Sequence, residues 1–263
     1  DWVARWAAPG TPGEFHVSFN DHILATHFGT EGAEWHWQYG GTVQTVKGAN
    51  SIRIIDATGF DGRCDCIALT TTKTSPPNES SVLPPWRKEM FRVSESPVSH
   101  GPYDLVVVGG GYAGTAASIS AARMGLRVAL IQNRPVLGGN GSSEVRVWAK
   151  VLIRRGKYPR IGEIVEEFRD NAKKSPGTYE EFGDAKKEAI VRAEDHIDLF
   201  LNMHAFDVDT DQGQTDIKGV TALDTQTNQV HLFTGRLFCD ATGHATIAYK
   251  AGAETVMEPN GRM

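Results

Sequence analysis

The sequence predicts an α/β doubly wound domain that is preceded by an all-β sandwich domain. Residues 1–70 contain short alternating apolar segments, with Phe15, Val17 and Phe19 on one face of a strand and then Ile52, Ile54 and Ile55. Turn residues occur about every ten positions, which is typical of a β-sandwich. From residue 103 onward, apolar strands alternate with helical segments, an order that indicates a parallel sheet with crossover helices. Between these parts, residues 71–102 contain six of the 12 prolines, which interrupt helices and sheets and indicate a linker.

Composition excludes several classes of protein. The chain has 263 residues, enough for one large or two modest domains, and its 40% hydrophobic and 22% charged residues are typical of a folded globular protein. The formal net charge of −5 gives no basic character of the kind that nucleic-acid binders carry. Apolar runs such as Leu105–Val108 are far shorter than the ~20 residues of a membrane helix. We therefore expect no nucleic-acid partner and no membrane span.

Three segments are assigned from these changes in composition. Residues 1–74 form the β-sandwich module, residues 75–102 the proline-rich linker, and residues 103–263 the α/β domain. No helical periodicity occurs before residue 100. Both ends look cut, so we expect a fragment whose α/β domain is incomplete at the C-terminus. The three cysteines identify no compartment, and an extracytoplasmic location is slightly favoured.

The α/β domain is predicted in more detail from its apolar pattern. The predicted strands are Asp104–Val108, Arg127–Ile131, Ile197–Met203 and Arg236–Asp240, the predicted helices are Tyr112–Met124, Ile161–Lys174 and Tyr179–Ala193, and residues 206–234 are predicted to form a small antiparallel meander.

The N-terminal module is rich in aromatic residues and histidines. Trp35 and Trp37 share one face of a strand, so they could stack on a sugar or pack in the core. We favour packing, with glycan binding as the alternative. The histidines at positions 16, 22, 27 and 36 lack a metal-ligand spacing, and we expect no metal site.

A glycine fingerprint follows the first strand of the α/β domain. Gly109-Gly110-Gly111-Tyr112-Ala113-Gly114 has the spacing G-x-G-x-x-G between a buried strand and a helix, the context that makes this motif specific for a dinucleotide. Gly109 would allow the tight turn, Gly111 the close approach of a pyrophosphate, and Gly114 the packing of helix on strand. The helix N-terminus would offer N–H groups and partial positive charge to the phosphates.

An acid normally ends the second strand of such a unit and accepts hydrogen bonds from ribose hydroxyls. Gln132 stands there, followed by Asn133. A glutamine can still accept a hydrogen bond, although without the strength that a charge adds.

Two further segments resemble a known family of flavoproteins. The run Arg134-Pro135-Val136-Leu137-Gly138-Gly139-Asn140-Gly141-Ser142-Ser143 resembles the second glycine loop of the large FAD-dependent oxidoreductases, and Asp240-Ala241-Thr242-Gly243 resembles their Ala-Thr-Gly motif. The family has a glutathione-reductase-like, Rossmann-like FAD-binding domain, and the resemblance extends to relatives that carry an N-terminal β-sandwich module. It implies FAD as cofactor and flavin-mediated hydride transfer. We expect non-covalent binding, because no histidine or cysteine lies where a covalent link to the flavin could be argued.

The resemblance also implies a cofactor site. Its members are Gly109, Gly111, Tyr112, Ala113, Gly114, Gln132, Asn133, Arg134, Gly138, Gly139, Asn140, Ser142, Ser143, Ala205, Thr242 and Gly243. Within this set, Gln132 would face ribose, Ala205 adenine, and Ser142 and Ser143 the flavin. The residues from Arg134 to Asn140 would lie on the phosphate side and Thr242-Gly243 on the adenosine side.

The expected partner is a small-molecule substrate, with glycans among the candidates, and the oligomeric state stays open. No catalytic residue is assigned, since substrate-facing residues of this family lie further along the chain. The alternatives are an NAD(P)-binding dehydrogenase and a non-catalytic carbohydrate-binding protein with a vestigial nucleotide fold.

Overall fold

A computed structural model describes residues 13–31, 34–58, 63–72, 74–150, 154–211, 213 and 216–256. The chain divides into two units, Asp1–Met90 and Phe91–Met263. Each unit has its own sheet.

The N-terminal unit is built on a three-stranded antiparallel sheet. Its strands are β1 (Phe15–Phe19), β2 (His22–Ile23) and β3 (Ile52–Asp56), in the order β2-β1-β3. Phe15, Val17 and Phe19, predicted to share one face of a strand, lie on β1 and are all buried, and Ser18 between them is buried as well. The ring of Phe28 stacks on that of Phe15, with 5.5 Å between the ring centroids.

The prediction of a β-sandwich is not met by the described part of this unit. The strands form one sheet, with no second sheet facing it among the described residues. Ile52 and Ile54, two of the apolar residues on which the sandwich prediction rests, are 42% and 54% exposed. Alternation shows which side chains share a face of a strand, but it does not supply the second layer that would bury them.

A short helix, α1 (Leu83–Met90), forms within the segment predicted as linker, so the absence of helical periodicity before residue 100 was misleading. Pro84 and Pro85 lie in its first turn, where a backbone N–H has no helical partner to lose. Trp86 packs edge-on against Trp37, with ring centroids 6.1 Å apart, and the Trp37 indole donates to the Pro77 carbonyl at 3.0 Å. Trp37 is therefore a packing residue within this unit.

The C-terminal unit contains a six-stranded mixed sheet in the order β6-β5-β4-β9-β8-β7. The strands are β4 (Val98–Val108), β5 (Val128–Ile131), β6 (Ile197–Phe200), β7 (Met203–Thr210), β8 (Ile217–Asp224) and β9 (Val230–Asp240). Strands β6, β5, β4 and β9 are parallel, whereas β8 and β7 continue the sheet in antiparallel pairing. The predicted α/β class and the antiparallel meander are confirmed, and β9 joins the two parts because it pairs with both β4 and β8.

Helices cover the sheet unequally. The helices are α2 (Tyr112–Arg123), α3 (Glu163–Phe168), α4 (Asp184–Arg192) and α5 (Thr246–Lys250). Buried residues of α2, α3 and α4, such as Ile119, Phe168 and Val191, form one core cluster with Val107 and Leu130 of the parallel strands. On the opposite face α5 packs against β7 and β9. None of the described helices has the length and apolar character needed to cross a membrane.

Several predicted elements are shorter than expected. The helix predicted over Ile161–Lys174 is the six-residue α3, and the one predicted over Tyr179–Ala193 is a 3-10 turn, Glu180–Phe182, followed by α4. Gly183, with φ of +58°, separates these two pieces, and Asn202, also with φ of +58°, separates β6 from β7. Such left-handed residues end regular elements, and a periodicity pattern does not reveal them.

Candidate functional site

Two glycine loops meet where β4 and β5 end. The backbone of Gly138 donates to the carbonyl of Gly110 at 2.8 Å, and Gly111 and Gly138 form a parallel bridge. A Cβ on Gly139 would lie 3.3 Å from the Cα of Gly111. The predicted first and second glycine loops are thus packed backbone against backbone, and a side chain at Gly110, Gly138 or Gly139 would meet close neighbours.

Two glycines of the fingerprint are required by the packing of the protein itself. A Cβ on Gly114 would lie 1.8 Å from the carbonyl oxygen of Gly109, so α2 rests directly on the loop that precedes it. Gly109 has φ of +106°, and a Cβ there would lie 2.5 Å from the carbonyl oxygen of Ala241. The predicted roles of these glycines in turn and helix packing agree with this geometry.

Gly111 differs, because the space on the side where its Cβ would project is open. Its backbone is extended, with φ of −69° and ψ of −177°, and a Cβ there would meet no protein atom within 4 Å. Gly111 is also the N-cap of α2, and no side chain caps this helix end. The first-turn N–H groups of a helix lack intrahelical partners, so this space suits an anionic group such as a pyrophosphate. The residues present therefore fit the phosphates of a dinucleotide.

The Thr242-Gly243 turn lies beside the first loop, as the close approach of Gly109 to Ala241 shows. The carboxylate of Asp240 accepts hydrogen bonds from the backbone N–H groups of Thr242, Ile247 and Ala248 at 2.8–2.9 Å. Burial raises the pKa of this carboxyl group, but the hydrogen bonds outweigh burial and hold the pKa below its usual value. Asp240 thus anchors the turn and the start of α5.

Gln132 is only 3% exposed, and its side chain is engaged within the protein. Its carbonyl oxygen accepts from the backbone N–H of Gly110 at 2.8 Å, and its amide donates to the carbonyl of Val136 at 2.9 Å. The expectation that this side chain faces ribose needs correction, because both of its ends bind backbone groups. Gln132 braces the first glycine loop against the second, while Asn133 beside it is exposed.

The second loop is fixed by polar contacts at both ends. Arg134 forms an ion pair with Glu144 at 2.9 Å, and the backbone N–H of Ser143 donates to the carboxylate of Asp184 at 3.2 Å. The hydroxyl oxygen of Ser142 is buried and has no hydrogen-bond partner among the described residues. Of the remaining predicted residues, Asn140 and Ala113 are exposed.

A polar cluster beneath the second loop was missed by sequence reasoning. Tyr112 donates its hydroxyl to Asp170 at 2.7 Å, and Lys187 is completely buried, 3.7 Å from Asp184. Lys187 donates to the carbonyl of Phe182, and burial lowers the pKa of its ammonium group. Tyr112 therefore points into the protein rather than toward the open space. No local pattern could reveal this cluster, because its members are up to 75 positions apart and meet through the packing of α2, α3 and α4.

Ala205 lies on β7, two residues after a junction with the end of β5. At that junction the backbone N–H of Met203 donates to the carbonyl of Gln132 at 2.9 Å. Ala205 pairs with Ala222 of β8, and its side chain is buried. A contact with adenine through its backbone stays a prediction.

Comparison with known protein families gives a match over most of this unit. Residues 104–263 match the family described as FAD dependent oxidoreductase. Stretches of 38 residues are 53% identical to the soluble pyridine nucleotide transhydrogenase of Ectopseudomonas mendocina (strain ymp) and 55% identical to the dihydrolipoyl dehydrogenase of Trypanosoma brucei brucei. Each match covers 14% of this chain and 8% of the relative.

Solved structures give distant similarities. A geranylgeranyl bacteriochlorophyll reductase-like protein from Thermoplasma acidophilum is 17% identical, with a TM-score of 0.42 over 62% of this chain and 44% of that protein. THI4 from Thermovibrio ammonificans is 22% identical, with a TM-score of 0.42 over 65% of this chain and 66% of that protein.

The family match, which spans more than half of the chain, favours FAD over the nicotinamide cofactor of the alternative dehydrogenase. It includes both glycine loops and the Ala-Thr-Gly turn. This protein belongs to the family of FAD dependent oxidoreductases.

Proposed function

We propose that the C-terminal unit binds FAD non-covalently, with the pyrophosphate at Gly111 and the N-terminus of α2. The observation that carries the proposal is the difference among the fingerprint glycines. A Cβ on Gly109 or Gly114 would collide with the protein itself, whereas a Cβ on Gly111 would enter open space. Packing within the protein therefore does not explain why position 111 is a glycine. Close approach of a ligand to the backbone at this position would explain it.

The adenosine part of FAD would lie beside three segments at the carboxyl edge of the sheet. Thr242 and Gly243 border this edge on the β9 side, and a Cβ on Gly243 would also meet no protein atom within 4 Å. Ala205 would contact adenine through its backbone. Because Gln132 is occupied with Gly110 and Val136, we assign the ribose contact to the exposed Asn133.

The second loop would carry the side of the site that continues toward the flavin. Gly138, Gly139 and Asn140 would border the phosphates, and Ser142 and Ser143 would lie nearer the flavin. Asp184 holds Ser143, and Glu144 holds Arg134, so this loop is fixed from both ends by side chains of the same unit. A fixed loop lowers the ordering cost of binding a large cofactor.

When bound, the flavin would accept or donate a hydride, while the protein orients cofactor and substrate. The residues of this chain supply the binding edge and the rigid loops. We propose a small-molecule substrate, a glycan being one candidate, and no side chain of this chain is assigned to the reacting atoms. The domain limits 1–74, 75–102 and 103–263 remain our proposal for the organisation of the chain.

The test is the cofactor content of the full-length protein. We expect protein purified or reconstituted with FAD to show flavin absorbance, and acid precipitation to release the whole of the flavin into the supernatant. Release of FAD rather than a mononucleotide, identified by chromatography, would support the site at Gly111. A folded protein that stays colourless after incubation with excess FAD would contradict the proposal.

A further inference from the structure

Three potential metal ligands converge on one face of the N-terminal sheet. Phe15 and Phe28 exchange two backbone hydrogen bonds, from N to O at 3.1 and 3.0 Å, so they lie directly opposite each other. In antiparallel pairing their neighbours His16 and His27 are then also opposite, with both side chains on the other face. Glu14 lies two residues before His16 and so shares that face.

The distances among these side chains suit one ion. The Nδ1 atom of His27 lies 2.5 Å, and the Nε2 atom of His16 lies 3.7 Å, from the same Oε1 atom of Glu14. One ligand atom from each residue lies within 4.8 Å of the other two. Ligand atoms in a tetrahedral zinc site are about 3.4 Å apart, given Zn–N and Zn–O distances of ~2.1 Å. Shifts of about 1 Å would bring the three atoms to that spacing.

A hydrogen bond between His27 and Glu14 does not account for the whole cluster. The Nε2 atom of His16 faces the same carboxylate but lies 3.7 Å from its Oε1 atom, beyond hydrogen-bond distance. The rings of His16 and His27 meet nearly at right angles, with centroids 4.7 Å apart. An imidazole held this way beside a second imidazole and a carboxylate is placed as a ligand would be.

We propose that Glu14, His16 and His27 bind a divalent transition-metal ion, with Zn²⁺ as the natural occupant. Imidazole nitrogen suits Zn²⁺, whereas Mg²⁺ and Ca²⁺ prefer sites built wholly from oxygen. Three protein ligands leave a fourth position for water, and the side chain of His27 is 63% exposed, so an ion can enter from solvent.

The proposed ion would fasten the chain around His27 to β1. Because the ligands come from two chain segments joined by strand pairing, binding would stabilise the pairing of Phe15 with Phe28. The expectation of no metal site was made from spacing along the chain, and this spacing does not show that His27 lies across from His16.

The test is Zn²⁺ binding to the full chain without an affinity tag, followed by titration and by metal analysis after dialysis. We expect one Zn²⁺ per chain and a rise in melting temperature with added Zn²⁺. Cobalt in place of zinc should give the visible absorption bands of a four-coordinate site. Glu14→Gln and His16→Gln should each weaken binding by at least ~10-fold, since loss of even an outer-shell partner costs 10–100-fold.

Matched controls are available in the same unit. His22→Gln and His36→Gln remove histidines outside the cluster and should leave Zn²⁺ affinity unchanged. The melting temperature without metal and the FAD content identify any variant that fails to fold. If one of Glu14→Gln and His16→Gln fails to fold, the Zn²⁺ affinity of the other tests the proposal. Absence of stoichiometric Zn²⁺ binding, or equal loss of affinity in the control and ligand variants, would overturn the proposal.

Discussion

Gly114 lies so close to Gly109 that a Cβ on Gly114 would sit 1.8 Å from the carbonyl oxygen of Gly109. This close approach joins the first turn of α2 to the loop after β4. The atom that a Cβ would meet belongs to the backbone, which cannot rotate away as a side chain can. Stability of the C-terminal unit therefore depends on this glycine directly.

We expect Gly114→Ala to lower the free energy of unfolding of the C-terminal unit by about 1–3 kcal/mol or more, since overpacking at a tight contact has costs of this size. The change should appear in urea denaturation of the protein without FAD. Gly111→Ala is the matched comparison, because it places the same methyl group in open space and should leave stability nearly unchanged. Equal destabilisation by both substitutions would show that the two positions are not distinguished by packing.

Gly111→Val tests the phosphate contact. The branched side chain would fill the space next to the N-terminus of α2, which the pyrophosphate needs, so we expect loss of FAD binding while the apoprotein stays folded. FAD titration followed by fluorescence measures the affinity, and circular dichroism reports folding. Ser120→Val, at an exposed position of the same helix, serves as the control for a β-branched residue in α2. Normal FAD affinity in Gly111→Val would move the pyrophosphate to another segment.

Gln132→Glu is expected to destabilise the protein. The Gln132 amide donates to the carbonyl of Val136, and a carboxylate would place a buried negative charge against that carbonyl oxygen. Loss of this donor in a buried site should lower the free energy of unfolding by about 1–3 kcal/mol at neutral pH. Asn133→Ala should instead weaken FAD binding with little effect on stability, because Asn133 is exposed. If Gln132→Glu keeps full stability and binds FAD more tightly, Gln132 does face ribose.

The backbone of the site was predictable from the sequence because it depends on local rules. The spacing of Gly109, Gly111 and Gly114 between a strand and a helix indicates the positions at which a dinucleotide-binding loop needs a residue without a Cβ. The burial of Phe15 and Val17 on β1 followed in the same way from alternation. Both conclusions require only the geometry of one element and its immediate neighbours.

The side-chain arrangement could not be predicted, because it depends on distances between separate elements. The orientation of Gln132 is set by Gly110 and Val136, and the cluster of Tyr112 with Asp170 joins α2 to the segment after α3. Likewise, Ile54 belongs to an apolar segment of the kind that predicts a β-sandwich, but nothing in that pattern shows whether another layer covers the side chain, which is exposed. Long-range packing decides all three cases.

Two histidines provide a prediction about pH. The Nε2 atom of His100 lies 2.8 Å from the Nδ1 atom of His231, and the rings are stacked in parallel. Burial lowers the pKa of both imidazoles, and the nearness of His231 lowers that of His100 further. The charge of Asp198 raises the pKa of His100, and the charge of Asp224 raises the pKa of His231. Both pKa values nevertheless stay below the ordinary value.

Since both pKa values in the folded protein lie below the ordinary 6.5, the unfolded chain binds protons first as the pH falls. The stability that the neutral pair contributes is complete above about pH 6.5 and is lost as the pH falls through the lowered values. We expect the urea midpoint of the C-terminal unit to decrease between about pH 7 and pH 5. His231→Gln keeps a hydrogen-bond partner for His100 and should make this decrease shallower, whereas His196→Gln, at an exposed position, should retain it. A urea midpoint that does not change with pH in the unmodified protein, or the same slope in His231→Gln, would show that this pair does not control acid stability.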